Sequence, residues 1–128
     1  MAGKNEGLRL ALFESDPDYF DTLTKVLNEY GHSVVGLAVD MLSAERLAGR
    51  LGELDTKAAL VGGLTRGFAD DRQSAEVVLW IRQKFPRVVT IGMPDSGKIE
   101  GAYYNFPKQD GPMALLAILD GLASEQRK

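Results

Sequence analysis

Short, mostly apolar runs alternate with segments of helical periodicity along nearly the whole chain, and this order limits the possible folds. The runs are LRLALF (8–13), HSVVGLAV (32–39), KAALV (57–61), RVVTIGM (87–93) and the shorter AYYNF (102–106). They lack strict apolar–polar alternation, as is typical of strands buried on both faces. Strands of this kind joined by helices predict an α/β fold, a doubly wound five-stranded parallel sheet in a three-layer sandwich.

The segments between the runs carry helix signals. Asp16 followed by Pro17 predicts a helix N-terminus, and Gly31 stands where a C-terminal glycine belongs. Further helices are predicted at 41–51, 74–85 and 112–123. With 128 residues and no linker or internal repeat, the sequence predicts one domain over 8–123, with loose termini at 1–7 and 124–128.

Composition excludes several classes of protein. The net charge is −3, with basic residues scattered along the chain, so we expect no binding to nucleic acid. No apolar stretch is long enough to span a membrane, and no secretion signal is visible, which favours a cytoplasmic protein. There is no cysteine, and the single histidine, His32, is expected on the surface or at a turn without a catalytic role.

The stretch GMPDSGKI has the spacing of a phosphate-binding loop, G-x-x-x-x-G-K, from Gly92 to Lys98. The hydroxyl residue that should follow the lysine and reach Mg²⁺ is replaced by Ile99. A working loop of this kind also needs a helix directly after the lysine, whereas a short strand is predicted here. The match is therefore interpreted as accidental.

Sites in doubly wound sheets form outside the carboxyl ends of the strands. The residues at these ends contain few groups able to do chemistry. They are Glu14, Ser15 and Asp16 after the first strand, Gly62 and Gly63 after the third, Gly92 and Met93 after the fourth, and Pro107 and Lys108 after the fifth.

Two stretches carry a resemblance to a known family. LALFESDPDYFDTLTKVLNEYGHSVVGLAVDMLSAERLAG resembles the first half of a bacterial response-regulator receiver domain (CheY-like), and GAYYNFPKQDGPMALLAIL resembles its last strand and helix. The resemblance covers about residues 8–123. It implies a five-stranded sheet, carboxylates that hold Mg²⁺ after the first strand, and an aspartate after the third strand that receives a phosphoryl group.

The chain departs from this pattern at its central positions. Ser15 replaces one metal-binding carboxylate, and the acceptor position falls on Gly62 or, one residue on, Gly63. Glycine cannot form an acyl phosphate. The switch hydroxyl of the family is matched by Gly92 and its switch aromatic by Asn105. The resemblance therefore implies a degenerate pseudo-receiver.

A vestigial receiver pocket is predicted. Its residues are Glu14, Ser15, Asp16, Gly62, Gly92 and Lys108. Lys108 matches the conserved lysine of the family and, without a phosphate, is expected to pair with Glu14 or Asp16. No catalytic residue and no cofactor are expected, and Glu14 and Asp16 leave only a weak possibility of Mg²⁺ binding.

Only eight residues separate Gly92 from Gly101, too few for the fourth helix that receivers have. A loop is predicted there, which would uncover apolar area on one face of the sheet unless the loop itself, a neighbouring domain or another chain covers it. A protein partner or a second copy is expected to bind the face around the fifth strand. The candidate contacts are Ile99, Tyr104, Phe106 and Met113.

The sequence thus predicts a non-catalytic signal-transduction module of the two-component type, acting by protein–protein interaction and independent of phosphorylation. Two alternatives stay open. One is a binding domain for a nucleotide or another small ligand at the strand ends, where glycines leave room. The other is an atypical phospho-accepting receiver that uses a displaced acid, although the nearest acids, Asp55 and Asp70, are expected at the wrong strand end or in a loop.

Overall fold

The computed structural model describes residues 7–62, 71–94 and 97–126. The strands are β1 (Arg9–Phe13), β2 (Ser33–Ala38), β3 (Ala58–Val61), β4 (Val89–Gly92) and β5 (Tyr104–Asn105). The helices are α1 (Pro17–Glu29), α2 (Met41–Ala48), α3 (Asp71–Lys84) and α4 (Pro112–Gln126), and a short 3₁₀ turn covers Lys108–Asp110. None of the helices in these ranges is long and apolar enough to cross a lipid bilayer.

The five strands form one parallel sheet in the order β2-β1-β3-β4-β5. This confirms the predicted doubly wound α/β fold. The order reverses direction at β1, so the connections place helices on both faces. The predicted elements are all present, although α2 ends three residues early, at Ala48, and β5 has two residues where five were predicted.

Alternate residues of the central strands serve two cores. Leu10 and Leu12 of β1 belong to the cluster packed under α1 and α4, whereas Ala11 and Phe13 belong to the cluster under α2 and α3. All four side chains are fully buried. Burial of a leucine or phenylalanine side chain contributes about 1.5 to 3 kcal/mol, so both faces of the sheet stabilise the fold.

The first helix begins and ends as its sequence predicts. Asp16 Oδ1 accepts hydrogen bonds from the backbone N–H groups of Asp18 (3.0 Å) and Tyr19 (3.3 Å), and Pro17 occupies the first helical position. Gly31 has a φ of 90°, a left-handed conformation that glycine adopts without strain. These two ends fix where the chain leaves β1 and where it enters β2.

The connection from β4 to β5 contains no helix within its described residues, in agreement with the predicted loop. Ile99 from this loop is 1% exposed and belongs to the core cluster under α2 and α3, which Ala102 also contacts. The loop therefore supplies apolar cover on the face from which a fourth helix is missing.

Two of the four candidate partner contacts are buried inside the domain. Ile99 fills the core beneath the β4–β5 loop, and Phe106 is 2% exposed in the opposite cluster, under α1 and α4. The physical reason is the same for both. The sheet edge is completed by the chain's own apolar side chains, so these residues are used inside the domain.

His32 lies at the predicted turn but is buried, contrary to a surface position, and its Nδ1 accepts a hydrogen bond from the backbone N–H of Leu8 (3.0 Å). Burial lowers its pKa below the ordinary value of 6.5, and the nearby Asp120 opposes this shift only in part. A histidine that is neutral in the folded state stabilises it fully above pH 6.5 and loses this contribution as the pH falls below that value.

We expect the free energy of unfolding of the natural protein, relative to that of a His32→Asn variant, to decrease between pH 7.5 and pH 5. Asparagine offers an acceptor oxygen close to the position of Nδ1 and does not titrate. Urea unfolding of both proteins at several pH values measures this difference. A difference that stays constant with pH would contradict the neutral, buried state of His32.

Candidate functional site

The carboxyl ends of four strands place the predicted pocket residues at one edge of the sheet. Backbone hydrogen bonds continue the strand pairing past the strand ends, from Glu14 N–H to Ala38 O (2.9 Å) and from Gly62 N–H to Phe13 O (2.7 Å). On the far side, the Lys108 N–H donates to Pro94 O (3.0 Å). The site is therefore held by backbone geometry.

Glu14 and Lys108 form a buried ion pair in the centre of this edge. Glu14 Oε1 is 2.9 Å from Lys108 Nζ, and the two side chains are only 1% and 17% exposed. The other carboxylate oxygen, Oε2, accepts a hydrogen bond from the Asp16 N–H (3.0 Å), and Lys108 Nζ also lies 4.7 Å from the centre of the Tyr19 ring. The expected pairing of Lys108 is confirmed, with Glu14 as the partner.

The Glu14 carboxylate fills the space beside Gly62. A Cβ atom built at Gly62 would overlap Glu14 Oε1 far inside van der Waals contact and would also lie 3.4 Å from Met93 Cε. The Gly62 carbonyl is fixed from the other side by the buried hydroxyl of Ser74, which donates a hydrogen bond of 2.6 Å to it. Any side chain at position 62 would have to displace the ion pair.

Burial raises the pKa of Glu14 above its ordinary value of 4.5, since removal from water penalises the charged form. The hydrogen bond from the Asp16 N–H and the ammonium group of Lys108 act in the opposite direction and hold the shift back. The charge on Glu14 thus depends on Lys108. The central pair is close to neutral overall, which is unlike a site built to attract a phosphate or a cation.

Gly92 and Asn105, the positions that match the switch residues of receivers, form a fixed contact. Asn105 Oδ1 accepts a hydrogen bond from the Ile99 N–H (2.8 Å), and its Nδ2 donates to the Ile99 carbonyl (3.3 Å). A Cβ atom at Gly92 would lie 2.5 Å from Asn105 Oδ1, so glycine is what permits this arrangement. The pair binds the β4–β5 loop to the end of the sheet.

The residues present do not fit the Mg²⁺ site that the resemblance implies. Gly62 and Ser15 supply no carboxylate, Glu14 is engaged by Lys108 and the Asp16 N–H, and one Asp16 oxygen caps α1. Among the residues that the structure describes, no group of three or more histidine, cysteine or acidic side chains could hold a metal ion. Mg²⁺ requires near-octahedral oxygen ligands, and this edge provides few that are uncommitted.

The geometry gives little support to the two alternatives, a displaced phosphoryl acceptor and a nucleotide-binding loop. Asp55 precedes β3 and lies at the opposite end of the sheet, as expected, while Asp70 and Gly63 lie outside the described residues. In the phosphate-loop stretch, Gly97 has a φ of 72° and Lys98 is exposed, but the next regular element is the strand β5. The helix that would support a phosphate is therefore missing at that place.

Tyr103, directly before β5, is the exposed member of the tyrosine pair, and the candidate contact Tyr104 is the first residue of β5. Tyr103 is 72% exposed, whereas Tyr104 is half-buried against the cluster under α1 and α4, with the two rings 4.8 Å apart. Met113, at the start of α4, is 62% exposed. The alternation of side chains along a strand could have indicated this, because Tyr104 and the core residue Phe106 share one face.

No protein-family model matches the sequence, and no curated protein is significantly similar to it. Solved structures do match. A CheY-like response regulator receiver domain protein from Methanospirillum hungatei superposes with a TM-score of 0.76 at 17% identity, over 95% of this chain and 98% of that chain. The signal receiver domain of a modulated diguanylate cyclase from Desulfovibrio desulfuricans superposes with a TM-score of 0.75 at 14% identity, over 95% of this chain and 98% of that chain.

A third similar structure is the receiver domain of a sensor histidine kinase from Pseudomonas aeruginosa, which was solved with a magnesium ion coordinated in its active site cleft. Its TM-score is 0.68 at 20% identity, over 88% of this chain and 94% of that chain. At these identities the likeness concerns the fold. The fold of this chain is that of the CheY-like receiver domains.

Proposed function

We propose that this chain is a non-catalytic signal-transduction module, a pseudo-receiver that acts by protein–protein interaction and does not depend on phosphorylation. The observation that carries the proposal is the Glu14–Lys108 ion pair, which occupies the space at Gly62 where an acceptor side chain would have to stand. The likeness of the whole chain to receiver domains supports the signalling role by analogy of fold.

Two further features support independence from phosphorylation. A phosphoryl acceptor needs a nucleophilic oxygen, and Gly62 offers none. At the switch positions, Asn105 holds the Ile99 backbone by two hydrogen bonds and Gly92 leaves the space for the Asn105 side chain, so both have a structural role in the domain. The site therefore lacks both the group that would be modified and the group that would respond.

The first test is an amide NMR titration with Mg²⁺ and beryllium trifluoride, an analogue of the phosphoryl group. We expect no saturable shifts at Glu14, Gly62, Gly92 and Lys108, because neither ligand has an uncommitted set of oxygens to bind. Sodium fluoride alone serves as the control for ionic strength. Shifts that spread from these residues to β5 would show that the phosphorylation switch still works and would overturn the proposal.

The interaction surface is placed around β5 and the start of α4, where Tyr103 and Met113 expose large apolar side chains. Tyrosine and methionine are enriched in protein interfaces, and an exposed tyrosine contributes contact area at low entropic cost. Tyr104 is half-buried beside Tyr103 and can take part through its edge. The partner is a protein of the same pathway or a second copy of this chain.

We expect Tyr103→Glu and Met113→Glu each to weaken partner binding at least tenfold, since a buried charge replaces an apolar contact. Leu42→Glu is the matched control, because Leu42 in α2 is 61% exposed, nearly the same as Met113 at 62%. Affinity capture from cell extract identifies the partner, and sedimentation measures self-association. Equal binding by all three variants, with unchanged melting temperatures, would contradict the proposed position of the interaction surface.

A further inference from the structure

A concave pocket lies at the end of the sheet opposite to Glu14 and Lys108. It encloses about 320 Å³ between the chain that leads into β3 and the chain that joins α3 to β4. Its lining residues are Leu51, Gly52, Asp55, Thr56, Lys84, Phe85, Pro86, Arg87 and Val88. Pockets for small ligands span about 300 to 1,000 Å³, so this one suits a compact molecule.

This pocket is called here the β3–β4 entry pocket. Its wall is largely apolar. Leu51 and Val88 are buried, and the half-buried ring of Phe85 stands beside Gly52. A Cβ atom at Gly52 would lie 2.8 Å from Phe85 Cε1, so glycine permits the ring to sit in this position. An aromatic or aliphatic body of similar size would find matching surface here.

One polar group of the lining is unsatisfied. Thr56 is 7% exposed, and its hydroxyl oxygen is buried without a hydrogen-bond partner within the part of the chain that the structure describes. A buried hydroxyl without a partner is unfavourable, and such groups are rare in folded proteins. A change of staggered rotamer about the Cα–Cβ bond re-aims the hydroxyl, so that it can pair with a ligand in the pocket that Thr56 lines.

The charges around the pocket favour an anion. Lys84 and Arg87 are exposed and form no ion pair with any carboxylate among the described residues, and Lys84 Nζ lies 5.8 Å from the centre of the Phe85 ring. The one acid of the lining, Asp55, is already paired with Lys57 at 3.5 Å. A cation would therefore meet two like charges, whereas an anion would meet two available partners.

We propose that the β3–β4 entry pocket binds a small amphipathic anion, an aromatic or aliphatic carboxylate whose apolar body lies against Phe85 and whose charge is met by Lys84 and Arg87. The site is independent of the proposed signalling surface. It lies at the amino ends of β3 and β4, so binding there would leave the Glu14–Lys108 pair and the exposed Tyr103 and Met113 unchanged.

The test is an amide NMR titration of the whole chain with phenylacetate, and with the neutral phenylacetamide as its matched control. We expect saturable shifts for residues 51–56 and for Lys84, Phe85, Arg87 and Val88, with a millimolar dissociation constant, as a fragment of about ten heavy atoms allows. Phenylacetamide and the Arg87→Gln variant should each bind at least threefold more weakly. Equal affinities, shifts centred on Tyr103 and Met113, or no saturation would overturn the proposal.

A second variant separates binding from structure. Thr56→Val removes the unpaired hydroxyl and keeps the shape, so the melting temperature of the ligand-free protein should rise by roughly 2 to 5 °C. The same change should weaken phenylacetate binding at least twofold, because the ligand loses its partner. Opposite effects on stability and affinity support the site, whereas an unchanged affinity in Thr56→Val would mean that the hydroxyl does not face a ligand and would overturn its role.

Discussion

Replacement of Gly62 by alanine is expected to lower the free energy of unfolding by about 2 to 4 kcal/mol. The added methyl group would overlap the Glu14 carboxylate, which cannot move away without leaving Lys108. Overpacking of a core costs about 1 to 3 kcal/mol, and disturbance of a buried ion pair adds to this cost. Urea or thermal unfolding of the purified variant measures the loss.

Two controls isolate the cause of this loss. Gly121 in α4 has no atom within 4 Å of a built Cβ, so Gly121→Ala should be neutral or stabilise the helix by up to about 1 kcal/mol. In a Glu14→Ala background the space beside Gly62 is empty, and Gly62→Ala should cost at least 1 kcal/mol less there. If the two glycine variants had the same stability, the crowding argument would be wrong.

Replacement of Lys108 by methionine is expected to cost about 2 to 4 kcal/mol at pH 8, since it leaves the buried carboxylate of Glu14 without its cation. Lys108 lowers the pKa of Glu14, so its removal should raise that pKa further above 4.5. When the pKa of a carboxyl group is higher in the folded than in the unfolded state, the folded protein loses stability as the pH rises through the folded-state pKa. The cost should therefore be small near pH 4.5 and complete at pH 8.

The exposed pair of Lys57 and Asp55 provides the comparison. Its side chains are 44% and 71% exposed, and Lys57→Met should cost no more than about 1 kcal/mol at either pH. The cost of the double variant Lys108→Met, Glu14→Gln should no longer depend on pH in this way, because neither member of the buried pair titrates any more. If Lys108→Met lowered the free energy of unfolding by the same amount at pH 5 and pH 8, the cause would be lost packing and not the unpaired charge.

Most of the fold could be predicted because its signals are local. The apolar runs and the end signals at Asp16, Pro17 and Gly31 specify the strands and the first helix within a few residues of sequence. The pairing of Lys108 with Glu14 could also be expected, since the carboxyl ends of parallel strands meet at one edge. These inferences need only the strand order.

What the sequence could not supply depends on contacts between distant residues. Glu14 and Gly62 are 48 positions apart, and nothing in the local pattern indicates that the carboxylate of one fills the space of the other. The burial of Ile99 depends on the path of the β4–β5 loop across the sheet.

The two hydrogen bonds between Asn105 and the Ile99 backbone have a consequence for how the proposed module would be regulated. They bind the β4–β5 loop to the end of the sheet, and the proposed module has at Gly62 no acceptor side chain through which phosphorylation could raise the population of a second arrangement. Occupancy of the partner would then follow the law of mass action alone. Control over signal strength would pass from chemical modification to the rate at which the cell makes and removes the two proteins.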